Sequence, residues 1–258
     1  MPDRIVPERF SRTALLAGDD MMSALAASSI LVFGVGGVGS WCVEALARTG
    51  IGRITIVDSD TVAESNINRQ LPALADTVGE LKVEVLRRRI ARINPDCRVE
   101  ALAARYTPAS AADFAVESYD YVIDAIDSLP DKADLILRCT APSSAPRCGF
   151  YSSMGAARRI DPSKIAVAEF WKVAGDGLAR ALRTRFRRSS TFPARKFQVV
   201  YSTESPLPQA SPGAPSTAGE AAAARQPNGT FAHLTAAFGL RLSSLVIEDL
   251  YRRYHPER

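Results

Sequence analysis

The residues of this chain best suited to chemistry begin with Gly34-Val-Gly36-Gly37-Val-Gly39, a glycine run that follows an apolar stretch and opens a helical pattern. Glycines at such a junction let the backbone approach a phosphate or ribose closely, and the NH groups of the helix start favour an anion. Asp58 closes the next apolar stretch, where a carboxylate accepts hydrogen bonds from ribose hydroxyls. These features describe a nucleotide site and leave a NAD-dependent oxidoreductase as open as an ATP enzyme. The segment Asp58-Ser-Asp60-Thr-Val-Ala-Glu-Ser-Asn66-Ile-Asn68-Arg69-Gln70 separates the two. A guanidinium and carboxamides have no task in hydride transfer, but planar donors brace an α-phosphate and a departing pyrophosphate as charge builds on them. Lys82 adds a mobile cation, and Asp127, in Asp124-Ala-Ile-Asp127, supplies a carboxylate suited to Mg2+ beside a triphosphate. No GxxxxGK[ST] occurs, so the phosphate cradle is not a P-loop.

The elements that must position these groups follow from hydrophobic periodicity. Residues 12–28 read as an amphipathic helix carrying Leu15, Leu16, Met22 and Leu25. A strand at Ser29–Phe33 leads through the glycines into a helix from Gly37 to Thr49, stopped by Gly50. Strands are expected at Arg53–Val57, Arg98–Leu102 and Tyr119–Asp124, and helices at Gly79–Ile93 and Asp131–Cys139, with a further helix capped by Thr107-Pro108. This alternation predicts an α/β fold: a Rossmann-like, doubly wound, mainly parallel sheet with an N-terminal helix and a C-terminal extension. The chain then divides into a helical arm (1–29), a nucleotide-binding adenylation domain (30–150), a basic extension (151–204), a flexible loop (205–227) and a C-terminal helix (228–258). Within the extension, strands are expected around 165–169 and 197–202, and a helix around 177–186. The loop's richness in Pro, Ala, Ser and Gly, with few large apolar side chains, gives little to offset the entropy of ordering.

Bulk properties narrow the class. The 258 residues are 47% hydrophobic and 23% charged, an ordinary globular balance. MPDRIVPERF lacks an apolar h-region, so a cytoplasmic protein is expected. The apolar stretch Phe231–Ile247 is interrupted by His233 and Arg241 and reads as a buried helix, with no membrane partner. Cys42, Cys97, Cys139 and Cys148 include no CxxC pair, which argues against a disulfide framework and a four-cysteine zinc site. A formal charge of +4 permits an anionic partner without demanding one.

The order GxGGVGS, DxD, NxNRQ, Gly79-x-x-Lys82 and DAID resembles the ubiquitin-activating/ThiF/MoeB superfamily over about residues 9–150. The resemblance implies that Asp58 holds the ATP ribose, that Asn66, Arg69 and Lys82 contact the phosphates, and that Asp127 organises magnesium. Gly34, Gly36, Gly37, Gly39, Asp60 and Gln70 complete the expected nucleotide site, with Arg69, Lys82 and Asp127 as its catalytic groups. Arg9-Phe-Ser-Arg12 resembles the family's RYxR entry, whose second arginine reaches the ATP of the other subunit, so a homodimer with Arg12 in the partner's site is implied.

Within the superfamily the activated acid is the C-terminus of a sulfur-carrier or ubiquitin-like protein, a peptide, or the threonyl carboxylate of a modified tRNA. Sulfur-carrier activators usually carry two CxxC pairs for zinc, and this chain has none. Ala45–Gly52, Asp124–Ser128, Ile160–Ile165, Tyr201–Glu204, Gly229–Phe231 and Thr235–Gly239 resemble specifically the tRNA threonylcarbamoyladenosine dehydratases, with 205–227 departing in length and composition. That resemblance implies ATP, tRNA and, as a further candidate partner, a sulfur-transfer protein. Arg180, Arg183, Arg185, Arg187, Arg188, Arg195 and Lys196 crowd one short stretch and are expected to meet tRNA phosphates. Phe186, Phe192 and Phe197 are expected as stacking partners.

Overall fold

The apolar runs at Ser29–Phe33, Arg53–Val57 and Tyr121–Asp124 become β1, β2 and β4 of one sheet, and side-chain alternation explains them. Ile30 and Val32 of β1 enter the core on one face while Leu31 and Phe33 enter it on the other. A strand covered on both faces has no polar side, so its sequence reads as continuous apolar residues. In the computed structural model, which describes residues 6–209 and 228–257, β3 (Arg98–Leu102), β5 (Gly149–Ser153), β6 (Ile165–Glu169) and β7 (Gln198–Ser202) complete seven strands. Their order is β3-β2-β1-β4-β5-β7-β6, parallel throughout except for the β6–β7 pair. The Rossmann-like, mainly parallel sheet is therefore present. The order reverses between β1 and β4, which opens a crevice at the carboxyl ends of those strands.

Helices α1 (Ser11–Ala27), α2 (Gly39–Thr49), α3 (Lys82–Ile93) and α6 (Ala232–Tyr254) contribute to the core of one face; α4 (Leu129–Thr140) and α5 (Gly177–Ser189) contribute to the other. Residues 151–204 add β6, β7 and α5 to the same sheet and core. Of the loop expected over 205–227, residues 210–227 lie outside the described residues, and Leu207 N donates to Arg158 O. No helix among the described residues is long and apolar enough to cross a membrane.

Three elements differ from expectation, each for a local reason. Thr107-Pro108 caps no α-helix: Thr107 N donates to Ser110 Oγ and Ser110 N to Thr107 Oγ1, and only 3₁₀ turns follow at Ala111–Phe114 and Val116–Ser118. Helix α3 begins at Lys82 rather than Gly79, because Gly79 turns at φ +93° and Gly79 N and Glu80 O bond the main chain of Val62, which keeps 79–81 out of the helix. Gly18, at φ +74°, breaks α1, so Met21, Met22 and Leu25 are buried while Leu15 and Leu16 are 83% and 71% exposed.

Helix α6 lies directly on α2. A Cβ at Gly239 would stand 2.3 Å from Val38 O and 2.9 Å from Cys42 N, so the two backbones meet with no room for a side chain. Gly239→Val should lower stability by about 2–3 kcal/mol through overpacking and weaken ATP binding, since α2 begins at the glycine loop. Thermal unfolding and ATP titration read both effects, and an unchanged midpoint would show that α6 yields freely.

Candidate nucleotide site

The glycine loop is shaped by close backbone approach. Gly34 turns at φ +82°, where a Cβ would stand 2.7 Å from Ala125 O, and a Cβ at Gly39 would stand 1.8 Å from Gly34 O. Asp58, at the end of β2, holds the loop from the side. Its Oδ2 accepts from Val35 N at 2.8 Å and its Oδ1 from Asp60 N at 2.9 Å. Ser40 Oγ donates to Gly36 O at 2.6 Å and accepts from Leu71 N at 3.3 Å, which joins the loop to the segment bearing Arg69 and Gln70. Each carboxylate oxygen retains a second lone pair, so a ribose hydroxyl can share Asp58 with the loop.

Arg69 and Gln70 converge on the same loop. Arg69 Cγ lies 3.5 Å from where a Cβ of Gly37 would be, and Gln70 Nε2 3.7 Å from the equivalent point of Gly36. Trp41 Nε1 donates to Arg69 O at 3.2 Å, and Thr235 of α6 borders Gly37. Arg69 Nη1 donates to Ser65 O and Asn68 Oδ1, while its Nε and Nη2 make no hydrogen bond among the described residues. Burial lowers the Arg69 pKa, though a guanidinium remains a cation under all ordinary conditions. Gln70 is buried with its Oε1 unpartnered, an acceptor suited to a ligand hydroxyl or amino group. Asn66 Oδ1 accepts from Ala63 N at 3.2 Å, which shapes the turn before Arg69.

The acidic side of the crevice corrects one expectation. Lys82 is not mobile: it is buried at the first turn of α3, with Nζ 2.8 Å from Asp60 Oδ2. Asp60 is thus the partner of Lys82 as well as a turn former. Asp127 is exposed just past β4, and its loop hangs from Asp124, a fully buried carboxylate. Asp124 Oδ2 meets Lys132 Nζ at 2.8 Å and accepts from Ser152 Oγ at 2.6 Å, while Oδ1 accepts from Ile126 N at 3.0 Å. Lys132 Nζ also donates to Ile126 O at 3.0 Å. Sequence reasoning missed Lys132 and Ser152, because a helical lysine and a strand serine carry no mark of an interior ion pair. It missed Arg105 too, whose Nη2 lies 2.8 Å from Asp131 Oδ2 and whose charge is raised in pKa first by that bond and also by the fields of Asp127 and Asp60. Asp127 is an exposed hard-oxygen donor just past β4, the kind of ligand that suits Mg2+.

Other expected residues lie away from this crevice. Phe10 packs near Gly50 and Arg9 pairs with Asp96, both at the amino edge of the sheet, opposite the glycine loop. Arg12, on the next turn, is exposed and forms no hydrogen bond or ion pair among the described residues. Arg180, Arg185, Arg187, Arg188 and Lys196 are exposed, and none forms an ion pair among the described residues. Arg183 is turned inward: its Nη1 donates to Phe170 O at 3.2 Å and Val173 O at 2.8 Å. Arg195 Nε donates to Thr140 O at 3.2 Å. Phe186 and Phe197 are buried in the core rather than available for stacking, whereas Phe192 is 53% exposed. Burial raises the Cys42 and Cys139 thiols well above their usual pKa and pushes Cys97 up to about 11, so these three are poor nucleophiles. Cys148 is half-buried at the amino edge of the sheet, where Arg253 Nη1 donates to its sulfur at 3.3 Å.

The chain is 38% identical over 253 residues to the tRNA threonylcarbamoyladenosine dehydratase of Haemophilus influenzae, covering 95% of this chain and 94% of that one. The Escherichia coli tRNA N6-threonylcarbamoyladenosine dehydratase solved with AMP superposes with a TM-score of 0.83 at 37% identity, covering 96% of both chains. The same enzyme solved with ATP gives 0.81 at 36% identity, covering 97% of this chain and 96% of that one. Residues 10–154, which run from the arm before α1 through the glycine loop, Arg69, Lys82 and Asp127 to the end of β5, match the profile of the ThiF family, and the chain belongs to that family.

Proposed function

We propose that this chain adenylates the threonyl carboxylate of tRNA threonylcarbamoyladenosine with ATP and then closes the activated side chain into a ring, with net loss of water. The observation that carries this reading is the convergence of Arg69 and Gln70 on the glycine loop at the switch point of the sheet, in a chain alignable end to end with the dehydratases. The threonyl carboxylate attacks the α-phosphorus, the bond to the bridging oxygen breaks, and pyrophosphate leaves. A nucleophile on the same modified base then attacks the acyl carbon, expels AMP and closes a five-membered ring. Such intramolecular capture is worth an effective molarity on the order of 10⁵ M or more, so no transfer cysteine is required.

In this reading Asp58 orients the ribose, the α2 N-terminus and Asn66 receive the phosphates, and Gln70 Oε1 accepts from the nucleotide. The free Nε and Nη2 of Arg69 brace the charge that builds on the α-phosphate and on pyrophosphate, with Lys82 beside Asp60 as a second fixed cation. Asp127 would hold Mg2+; the ion would supply charge neutralisation for the leaving pyrophosphate. Arg12 stands at the wrong edge of the sheet for its own glycine loop, which supports its use in a partner subunit's site. Leu15 and Leu16, exposed on the same helix, supply apolar contact for that homodimer. The tRNA lies along α5: Arg180, Arg185, Arg187 and Arg188 have no acid on their helix and no ion pair among the described residues. The arginines of α3 that face acids pair with Glu84, Glu80 and Glu44, and those of α6 with Glu248 and Asp249. Lys196 extends the basic track, and a cytoplasmic location follows from the substrate.

The test is incubation with ATP and tRNA bearing threonylcarbamoyladenosine, followed by nucleoside mass spectrometry. ATP-dependent loss of one water is expected, with NAD neither bound nor required; an unchanged nucleoside, or tight NAD binding with substrate reduction, would overturn the reading. Arg69→Ala should cut turnover by about 100- to 1,000-fold, the scale of one oxyanion donor, with the fold intact, and near-normal turnover would remove Arg69 from the mechanism. Changing Cys42, Cys97, Cys139 and Cys148 together to alanine should preserve dehydration per folded molecule; a folded, ATP-binding variant unable to dehydrate would instead show covalent catalysis.

A further inference from the structure

Two large aromatic side chains stand in solvent beside the basic helix. Trp171 is 37% exposed and Phe192 53% exposed, with ring centroids 6.2 Å apart and planes at 44°. Their position is fixed from within by a ladder of rings. Trp171 packs edge-on against Phe170 at 5.3 Å, Phe170 stacks on Phe197 at 5.1 Å, and Phe197 meets Phe150 at 5.3 Å, the last three rings being buried. Arg183 completes the mounting, with its guanidinium 5.9 Å from the Phe170 ring centroid and its Nη1 on the Phe170 and Val173 carbonyls. An exposed aromatic pair with so rigid a base loses little entropy when a flat ligand covers it.

The surroundings identify the ligand's charge. Arg187 and Arg188 occupy the last turn of α5 shortly before Phe192, Lys172 follows Trp171, and all three are exposed without an ion pair among the described residues. Unneutralised cations around exposed rings select a polyanion with flat apolar faces, which is a nucleic acid carrying unstacked bases. Topology places the pair at the far end of the proposed tRNA track. Asp176, which caps the start of α5, accepts from Gly155 N beyond the carboxyl end of β5, whereas Trp171 follows β6 at the amino edge of the sheet. Helix α5 bridges these two edges over about 20 Å.

We propose that Trp171 and Phe192 form a stacking platform for an unpaired nucleobase of the tRNA, remote from the nucleotide whose side chain reacts. This rests on the tRNA reading above and adds to it a second, non-ionic anchor. The platform contributes to binding rather than to chemistry, so it acts on KM and leaves kcat at saturating tRNA unchanged.

Stacking and phosphate contact have different salt signatures, because only the second releases counterions. The test measures binding of full-length tRNA bearing threonylcarbamoyladenosine to the full chain across a salt series. The proteins compared are wild type, Trp171→Phe, Phe192→Ala, Trp171→Ala/Phe192→Ala and Arg187→Glu/Arg188→Glu. The double aromatic variant should bind about 5- to 100-fold more weakly, the range for removing stacked bases, with the slope of log K against log salt unchanged. Trp171→Phe, which keeps a ring, should bind nearly as wild type. The double arginine variant should lose about two units of slope. Thermal midpoint and ATP affinity report folding, and Phe192→Ala, which removes only the outermost ring, carries the test should the double variant unfold. Wild-type affinity in the aromatic variants, with the arginine variant weakened, overturns the platform and leaves the tRNA reading standing; absence of tRNA binding by the wild type overturns that reading itself. A wild-type dimer that the aromatic variants dissociate, without loss of tRNA affinity per chain, assigns the rings to an interface between copies and also overturns the platform.

Discussion

The close approach of main chains around the glycine loop is the constraint on which the rest of the site depends. Gly34 sits against the carbonyl of Ala125, Gly39 against that of Gly34, and Gly239 against that of Val38, each at a distance that admits no side chain. These contacts join the end of β4, the start of α2 and the middle of α6 into one unit. The NH groups at the start of α2 then present a surface fixed before any ligand arrives. Arg69 and Gln70 are placed relative to that surface through Trp41, Ser40 and Thr235, so the segment bearing them is packed directly on the glycine loop. Pre-organisation of this kind matters because donors that need not move cost nothing at the moment charge develops.

Charge inside the fold serves the same end. Asp124 and Lys132 are both fully buried, and such a pair is weak evidence for stability because desolvation offsets most of the attraction. Its value here is geometric: with Ser152 and the main chain of Ile126 it determines how the loop carrying Asp127 leaves β4. Arg159 and Asp176 form a second buried pair on the far side of β5, where Asp176 also caps α5 and accepts from Gly155 N. The two pairs thus register the crevice and the basic helix against the same strand.

Outside the core, charge is distributed unevenly. Several arginines on α3 and α6 pair with acids, whereas α5 carries no acid among its residues, and Arg183 is lowered in pKa first by burial and then by Arg187. Like charges kept together on one helix oppose folding, and a polyanionic partner relieves that opposition.

Much of the fold was legible in the residues themselves. The strands at Ser29–Phe33, Arg53–Val57 and Arg98–Leu102, the stop at Gly50 and the glycine loop follow from local rules of periodicity and backbone freedom, which act over a few residues. The order of Asp58, Arg69, Lys82 and Asp127 along the chain was likewise enough to mark them as candidates for a nucleotide site. What stayed hidden was every feature decided by contacts between distant segments. Lys82 lies buried against Asp60, Lys132 and Ser152 close on Asp124, and Phe186 and Phe197 turn inward while Trp171 and Phe192 turn out. The exposure of Leu15 and Leu16 depends on one glycine's dihedral angle within α1. Sequence by itself determined which chemistry the chain carries, because residue type and spacing are local properties. Tertiary structure alone decided which charges are neutralised and which rings face solvent, because burial and ion pairing depend on neighbours that the chain brings together only when it folds.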